Sequence, residues 1–146
     1  MPAARTTPPK QRAGAGFTLV EVSVVTAVVG VLAVAGWPAL NDYLTRARRA
    51  DAVTALTKVQ VAQEAFHAHH GLYAAQLSSL VGAAAGTSPQ GLYTIVLRSD
   101  GPARYEALAT ARADGPMAVD AACAVMKLQV QDGQPDFGPT PRCWNR

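Results

Sequence analysis

Few residues in this chain have the type and spacing that chemistry requires. His67, His69 and His70 form the densest group, and His67 and His70, three positions apart, share one face of any helix that carries them. No carboxylate or cysteine adjoins them to complete a ligand set, so no metal site is expected. Histidines at the end of a helix are solvated and favoured by its dipole when charged. Ser78, Ser79 and Ser88 lie in a polar stretch with no nucleophile elbow, and Asp100, Asp114 and Asp132 stand in turn sequences. Cys123 and Cys143 are the two cysteines, with no CxxC spacing for redox work. The chain reads as a non-enzyme, without catalytic residues or cofactor.

A different kind of chemistry is suggested by Glu21. It is the one ionisable side chain in Phe17 to Leu40, FTLVEVSVVTAVVGVLAVAGWPAL. As a helix those residues span about 36 Å, enough to cross a hydrocarbon layer of about 30 Å. A carboxylate there costs about 2.5–3.5 kcal/mol near the bilayer centre on insertion scales. The net charge of +3 belongs to the segment before it, where Arg5, Lys10 and Arg12 have no acidic company. From Phe17 onward Lys and Arg balance Asp and Glu, so composition gives a general polyanion binder no support. Of 146 residues, 49% are hydrophobic and 16% charged, which fits one domain and excludes a disordered chain or a large cofactor enzyme.

Basic residues before the apolar run place the N-terminus in the cytoplasm and export the rest. Two cuts are then available. Ala33-Val34-Ala35 has the small-x-small pattern of a general signal peptidase site, and a cut after Ala35 would release a soluble binding protein. The other cut falls after Gly16, ahead of Phe17, and keeps the apolar run. A disposable signal has no use for Glu21, which favours the second.

Gly16-Phe17-Thr18-Leu19-Val20-Glu21 resembles the prepilin cleavage and methylation site of type IV pilins and pseudopilins. The resemblance implies cleavage between Gly16 and Phe17 by a membrane peptidase and N-methylation of Phe17 by the same enzyme. It also implies that Glu21 neutralises the new Phe17 amine of a neighbouring subunit, so that two costly charges become a pair. The leader, residues 1–16, is longer than most that precede a phenylalanine start.

These residues need a particular scaffold. Pro38, after Gly30 and Gly36, marks a weak point in the apolar helix. Proline and glycine are tolerated in membrane helices, while the resemblance implies local loss of helix there during assembly; both readings stand. Beyond it Leu40, Tyr43, Leu44, Ala47, Val53, Leu56, Val59, Gln63 and Phe66 recur near helical spacing, with Arg46, Arg49, Asp51, Lys58 and Glu64 interspersed. The helix is predicted to run to about His70 and stop at Gly71. Three strands are predicted around Tyr93–Leu97, Tyr105–Thr110 and Met126–Val130, with turns at Ser99–Pro102 and Asp132–Gly133.

The expected class is α+β, a pilin fold whose long helix packs its second half on a small antiparallel sheet. After export the compartment is oxidising, so a Cys123–Cys143 disulfide is the default and staples a small core. Cys123, Leu128, Gly133 and the closing Cys143-Trp144 also resemble the tail of short PilE-like minor pilins. The expected organisation is a leader at 1–16, a transmembrane and filament-core helix at 17–40, and an exported domain at 41–146.

The function these readings imply is a structural subunit of a type IV pilus, a minor pilin serving twitching, adhesion or DNA uptake. Its partners would be other pilin subunits, the prepilin peptidase and N-methyltransferase, the inner-membrane assembly machinery, and membrane lipid before assembly. It would sit in the inner membrane and then in an extracellular pilus. A type II secretion pseudopilin is the nearest alternative. A DNA-binding competence pilin is another, with Arg46, Arg48, Arg49, Arg142, Trp144 and Arg146 as a basic, partly aromatic surface.

Overall fold

A computed structural model of the chain describes residues 17–80 and 86–144. Gly16, the leader and Arg146 lie outside the described residues, as does the side chain of Pro38. The elements are a helix α1 (Leu19–His70) and strands β1 (Tyr93–Ser99), β2 (Arg104–Ala111), β3 (Val125–Gln131) and β4 (Gln134–Gly138). Short 3-10 turns lie at Leu77–Ser79, Ala121–Cys123 and Pro141–Trp144. The chain divides into two compact units, Met1–Pro38 and Ala39–Arg146.

In the first unit the described side chains are exposed, from Phe17 (81%) and Leu19 (85%) to Trp37 (65%). By hydropathy and length no single helix among the described residues is long and apolar enough to cross a membrane. Leu19–Ala35 and Ala39–His70 meet that measure only together.

The second unit holds the core. The helix stops where expected, because Gly71 takes φ 70° and its N–H donates to the His67 carbonyl at 2.8 Å. The sheet is antiparallel with order β1-β2-β3-β4. Alternate residues face the core: Tyr93, Ile95 and Leu97 from β1, Tyr105, Ala107 and Ala109 from β2, Met126, Leu128 and Val130 from β3. Register places Leu97 opposite Ala107 opposite Leu128, and Ile95 opposite Ala109 opposite Met126. Ala107 and Ala109 of β2 share one buried cluster with Ala52, Ala55, Leu56 and Val59 of the helix. Burial of each such large side chain stabilises by about 1.5–3 kcal/mol.

Two expectations change. The sheet has four strands, not three: β4 pairs with β3 through a two-residue turn in which Asp132 and Gly133 both have positive φ, 50° and 77°. Along the helix, Leu40, Tyr43, Leu44 and Ala47 are exposed, while the core-facing side begins at Arg49. Arg49 and Asp51 are 8% and 2% exposed because each has a partner far along the chain.

Candidate functional site: the amino-terminal helix and the braced loops

At the start of α1, Thr18 caps the helix. The Glu21 N–H donates to Thr18 Oγ1 at 3.2 Å and the Val22 N–H to the Thr18 carbonyl at 3.2 Å. Ser23 and Thr26 hydroxyls return to the carbonyls of Val20 and Val22, both at 2.8 Å. These bonds satisfy the polar side chains of an otherwise apolar segment within the helix itself. Glu21 is the exception. It shares a shallow concavity with Phe17, Val22, Val25 and Thr26, and no described residue pairs with its carboxylate. Ala33, Val34 and Ala35 lie inside the helix, all exposed.

In the second unit one side of α1 braces the loops. Arg49 donates from Nε and Nη2 to the two carboxylate oxygens of Asp120, at 2.8 and 2.9 Å. That hydrogen-bonded carboxylate holds the Arg49 guanidinium above its ordinary pKa. Asp51 accepts from Ser88 Oγ at 2.5 Å and from the N–H groups of Gln90 and Leu92 at 2.9 and 3.3 Å. Ser88 Oγ in turn accepts from the Tyr93 N–H at 2.9 Å, which fixes the entry to β1. Gln63 bonds both backbone groups of Ala74. His67 Nε2 lies 3.2 Å from the Pro102 carbonyl, so that nitrogen is the donor. Sequence patterning gave no sign of these partnerships, whose partners are 5 to 71 positions away.

Cys123 and Cys143 form the disulfide, with Cα atoms 5.6 Å apart. It joins the 3-10 turn ahead of β3 to the one after β4. Trp144 is buried beside it; the indole N–H donates to the Gly138 carbonyl at 2.8 Å and the ring meets Phe137 edge-on at 4.7 Å.

Several of the histidines and of the residues of the alternative nucleic-acid surface are engaged within the fold. His67 stacks on Tyr73 (4.4 Å) and His70 on Phe66 (4.0 Å), and His69 is exposed. Among the described residues no three ligand-type side chains cluster around a metal-sized site. Arg46 and Arg142 are exposed, but Arg49 is buried and paired and Trp144 is buried. Ser88 is bonded to Asp51 and not to any histidine.

Comparison with known proteins agrees with this architecture. A model of the prokaryotic N-terminal methylation motif matches residues 11–37. A second, described as type IV minor pilin ComP, DNA uptake sequence receptor, matches residues 38–127, well over half of the chain. The chain belongs to the type IV pilin family. This pilin is 35% identical over 78 residues to the type IV major pilin protein PilE of Neisseria gonorrhoeae, covering 53% of the chain and 46% of the relative. It is 29% identical over 103 residues to the fimbrial protein EcpC of Eikenella corrodens, covering 61% and 66%. With the major fimbrial protein FimA of Dichelobacter nodosus the identity is 42% over 50 residues, 33% of the chain and 31% of the relative. The matched part of the pilin thus spans about half of PilE and a third of FimA.

Proposed function

We propose that this pilin is a non-enzymatic structural subunit of a type IV pilus, a minor pilin, matured by cleavage between Gly16 and Phe17 and N-methylation of Phe17. Residues 17–40 anchor it in the inner membrane, with the leader cytoplasmic and residues 41–146 exported. They later pack in the filament core, where Glu21 pairs with the Phe17 amine of a neighbouring subunit. The prepilin peptidase and N-methyltransferase and the assembly machinery act on it, and nothing in the chain resembles a nucleotide site. Pro38 provides a weak point in the helix during assembly.

The observation that carries this reading is the exposed apolar helix with its lone unpaired carboxylate, within the span of the N-methylation motif and followed by a disulfide-closed α+β unit. Intact mass and N-terminal sequencing, on sheared surface material and on membranes, test it. The expected chain begins at methylated Phe17 and is recovered in the sheared fraction. A chain beginning at Gly36 in the soluble fraction would overturn the reading.

A role in DNA uptake is the second reading, favoured by the family description that covers residues 38–127. A deletion strain scored for pili, twitching, DNA uptake and protein secretion separates the readings. Loss of secretion with intact pili points instead to a type II secretion pseudopilin.

A further inference from the structure

The sheet face opposite the core carries an ordered set of polar side chains that the fold leaves uncommitted. Register places Arg98 of β1 opposite Glu106 of β2, Glu106 opposite Gln129 of β3, and Gln129 opposite Asp136 of β4. This row crosses the whole sheet, about 14 Å at the usual interstrand spacing. A second row beside it runs through Arg104, Gln131 and Gln134. In β1, β2 and β3 these residues alternate with the buried ones and so stand on the outer face.

The rows are not spent on themselves. Arg98 and Glu106 stand opposite one another without an ion pair, and the side chains of Gln131, Gln134 and Asp136 bond to no described residue. Gln129 Oε1 accepts from Lys127 Nζ at 3.3 Å, so the Gln129 amide keeps its two N–H donors. Two hollows meet at Gln129. One, about 270 Å³, is bordered in part by Arg98, Arg104, Glu106 and Gln129. The other, about 470 Å³, is bordered in part by Gln129, Gln131, Gln134 and Asp136. Next to them Val96, 41% exposed, stands opposite half-buried Leu108. The face thus sets planar hydrogen-bonding groups beside an apolar strip.

Charge and shape limit the occupant. Arg98, Arg104 and Lys127 are offset by Glu106, by Asp136 and by Asp100, which lies 3.8 Å from Arg104 at the β1–β2 turn. A phosphate backbone would meet as many carboxylates as cations. No aromatic side chain of the four strands stands on this face for a base to stack on, because Tyr93, Tyr105 and Phe137 alternate to the core side. A neutral, polyhydroxylated chain fits instead. Guanidinium, carboxylate and carboxamide groups each present two coplanar positions, which suit neighbouring hydroxyls that both donate and accept. Val96 and Leu108 offer contact to the C–H face of a sugar ring.

We infer that the outer face of the sheet, from Arg98 across to Asp136, is a binding site for a neutral oligosaccharide. The site goes beyond the subunit reading and does not rest on it.

The full-length chain, in a detergent without a sugar headgroup, is applied to an array of neutral and acidic oligosaccharides, and a double-stranded DNA fragment is titrated in parallel. Binding of a neutral oligosaccharide is expected, with an affinity that holds between about 50 and about 500 mM salt because no counterions are released. Gln129→Ala and Gln134→Ala are each expected to weaken it about tenfold, with melting temperature and disulfide unchanged. Thr57→Ala, exposed on the helix, is expected to leave it as it is. Should Gln129→Ala melt early, Gln134→Ala, exposed at the sheet edge, carries the test. Binding of no neutral oligosaccharide, binding that survives Gln134→Ala, or binding of DNA or acidic sugars alone would each overturn the inference. Recovery of Gln134→Ala in sheared material at the parent level, with sugar binding lost, separates this site from assembly, so the two readings fail independently.

Discussion

The carboxamide of Gln63 bonds both backbone groups of Ala74, with Nε2 donating to the carbonyl at 2.9 Å and Oε1 accepting from the N–H at 2.8 Å. One side chain thus takes the place of a strand rung and fixes the direction of the chain just after the helix ends at Gly71. The arrangement is buried, since Gln63 is fully covered and Ala74 is 2% exposed. Nearby, the Tyr73 N–H donates to the Gly101 carbonyl at 3.3 Å and Ser99 Oγ to the Tyr73 carbonyl at 3.2 Å. The helix end and the β1–β2 turn are therefore pinned together.

Gln63→Ala leaves a buried donor and a buried acceptor without partners, and it should destabilise the protein by about 2–4 kcal/mol. Gln63→Glu keeps the bond from the Ala74 N–H but sets a carboxylate against the Ala74 carbonyl. Its folded-state pKa is then raised, so its stability relative to the parent should be greater near pH 4 than at pH 7. Denaturant titration of the full chain in detergent at both pH values checks this. Equal losses at the two pH values would contradict it.

Asp120→Ala leaves the Arg49 guanidinium buried without its carboxylate, with an expected loss of about 3 kcal/mol. Adding Arg49→Met removes the stranded charge and should recover most of that loss. Melting curves of the single and double variants decide the point, and two additive losses would show that the pair is not coupled.

Tyr93 and Tyr105 are fully buried, and their hydroxyls have no hydrogen-bond partner among the described residues. Burial pushes the Tyr93 phenol up to about 12 and raises that of Tyr105 as well. The unfolded chain loses these protons near pH 10, while the folded chain retains them until higher pH. Between those limits the unfolded state binds fewer protons, so stability falls as pH rises above about 10. Tyr93→Phe and Tyr105→Phe should each be neutral or slightly stabilising at pH 7 and should flatten the alkaline decline. A pH series of melting temperatures measures both effects.

Replacing Cys123 and Cys143 together by alanine opens a cross-link over a sequence separation of 20 residues. The chain-entropy model gives about 3 kcal/mol for such a loop. The variant should melt earlier than the parent under oxidising conditions and match the reduced parent under reducing ones.

Several parts of the molecule were legible in local sequence. Gly71 ends the helix because glycine adopts positive φ without a Cβ penalty. Tyr93, Ile95 and Leu97, and their counterparts in β2 and β3, read as strands because one face of each is buried and the period is two. Strand β4 was not legible: Gln134-Pro135-Asp136-Phe137-Gly138 has little apolar alternation. It forms at the sheet edge, where pairing to β3 suffices and Pro135 is tolerated.

The sequence by itself determined the features that depend on local chemistry. These are the methylation-type motif at Gly16 to Glu21, the long apolar run, the helix stop, three strands and the two cysteines available for a bridge. Tertiary structure decided which charges serve the fold. Arg49 and Asp51 are buried on the helix because Asp120, Ser88 and the backbone of Gln90 and Leu92 meet them from distant segments. It also decided that Leu40, Tyr43 and Leu44 stay exposed, since the core-facing side of the helix starts only at Arg49. Periodicity reports that a residue is apolar or charged; only the folded chain brings the partner that makes its burial favourable.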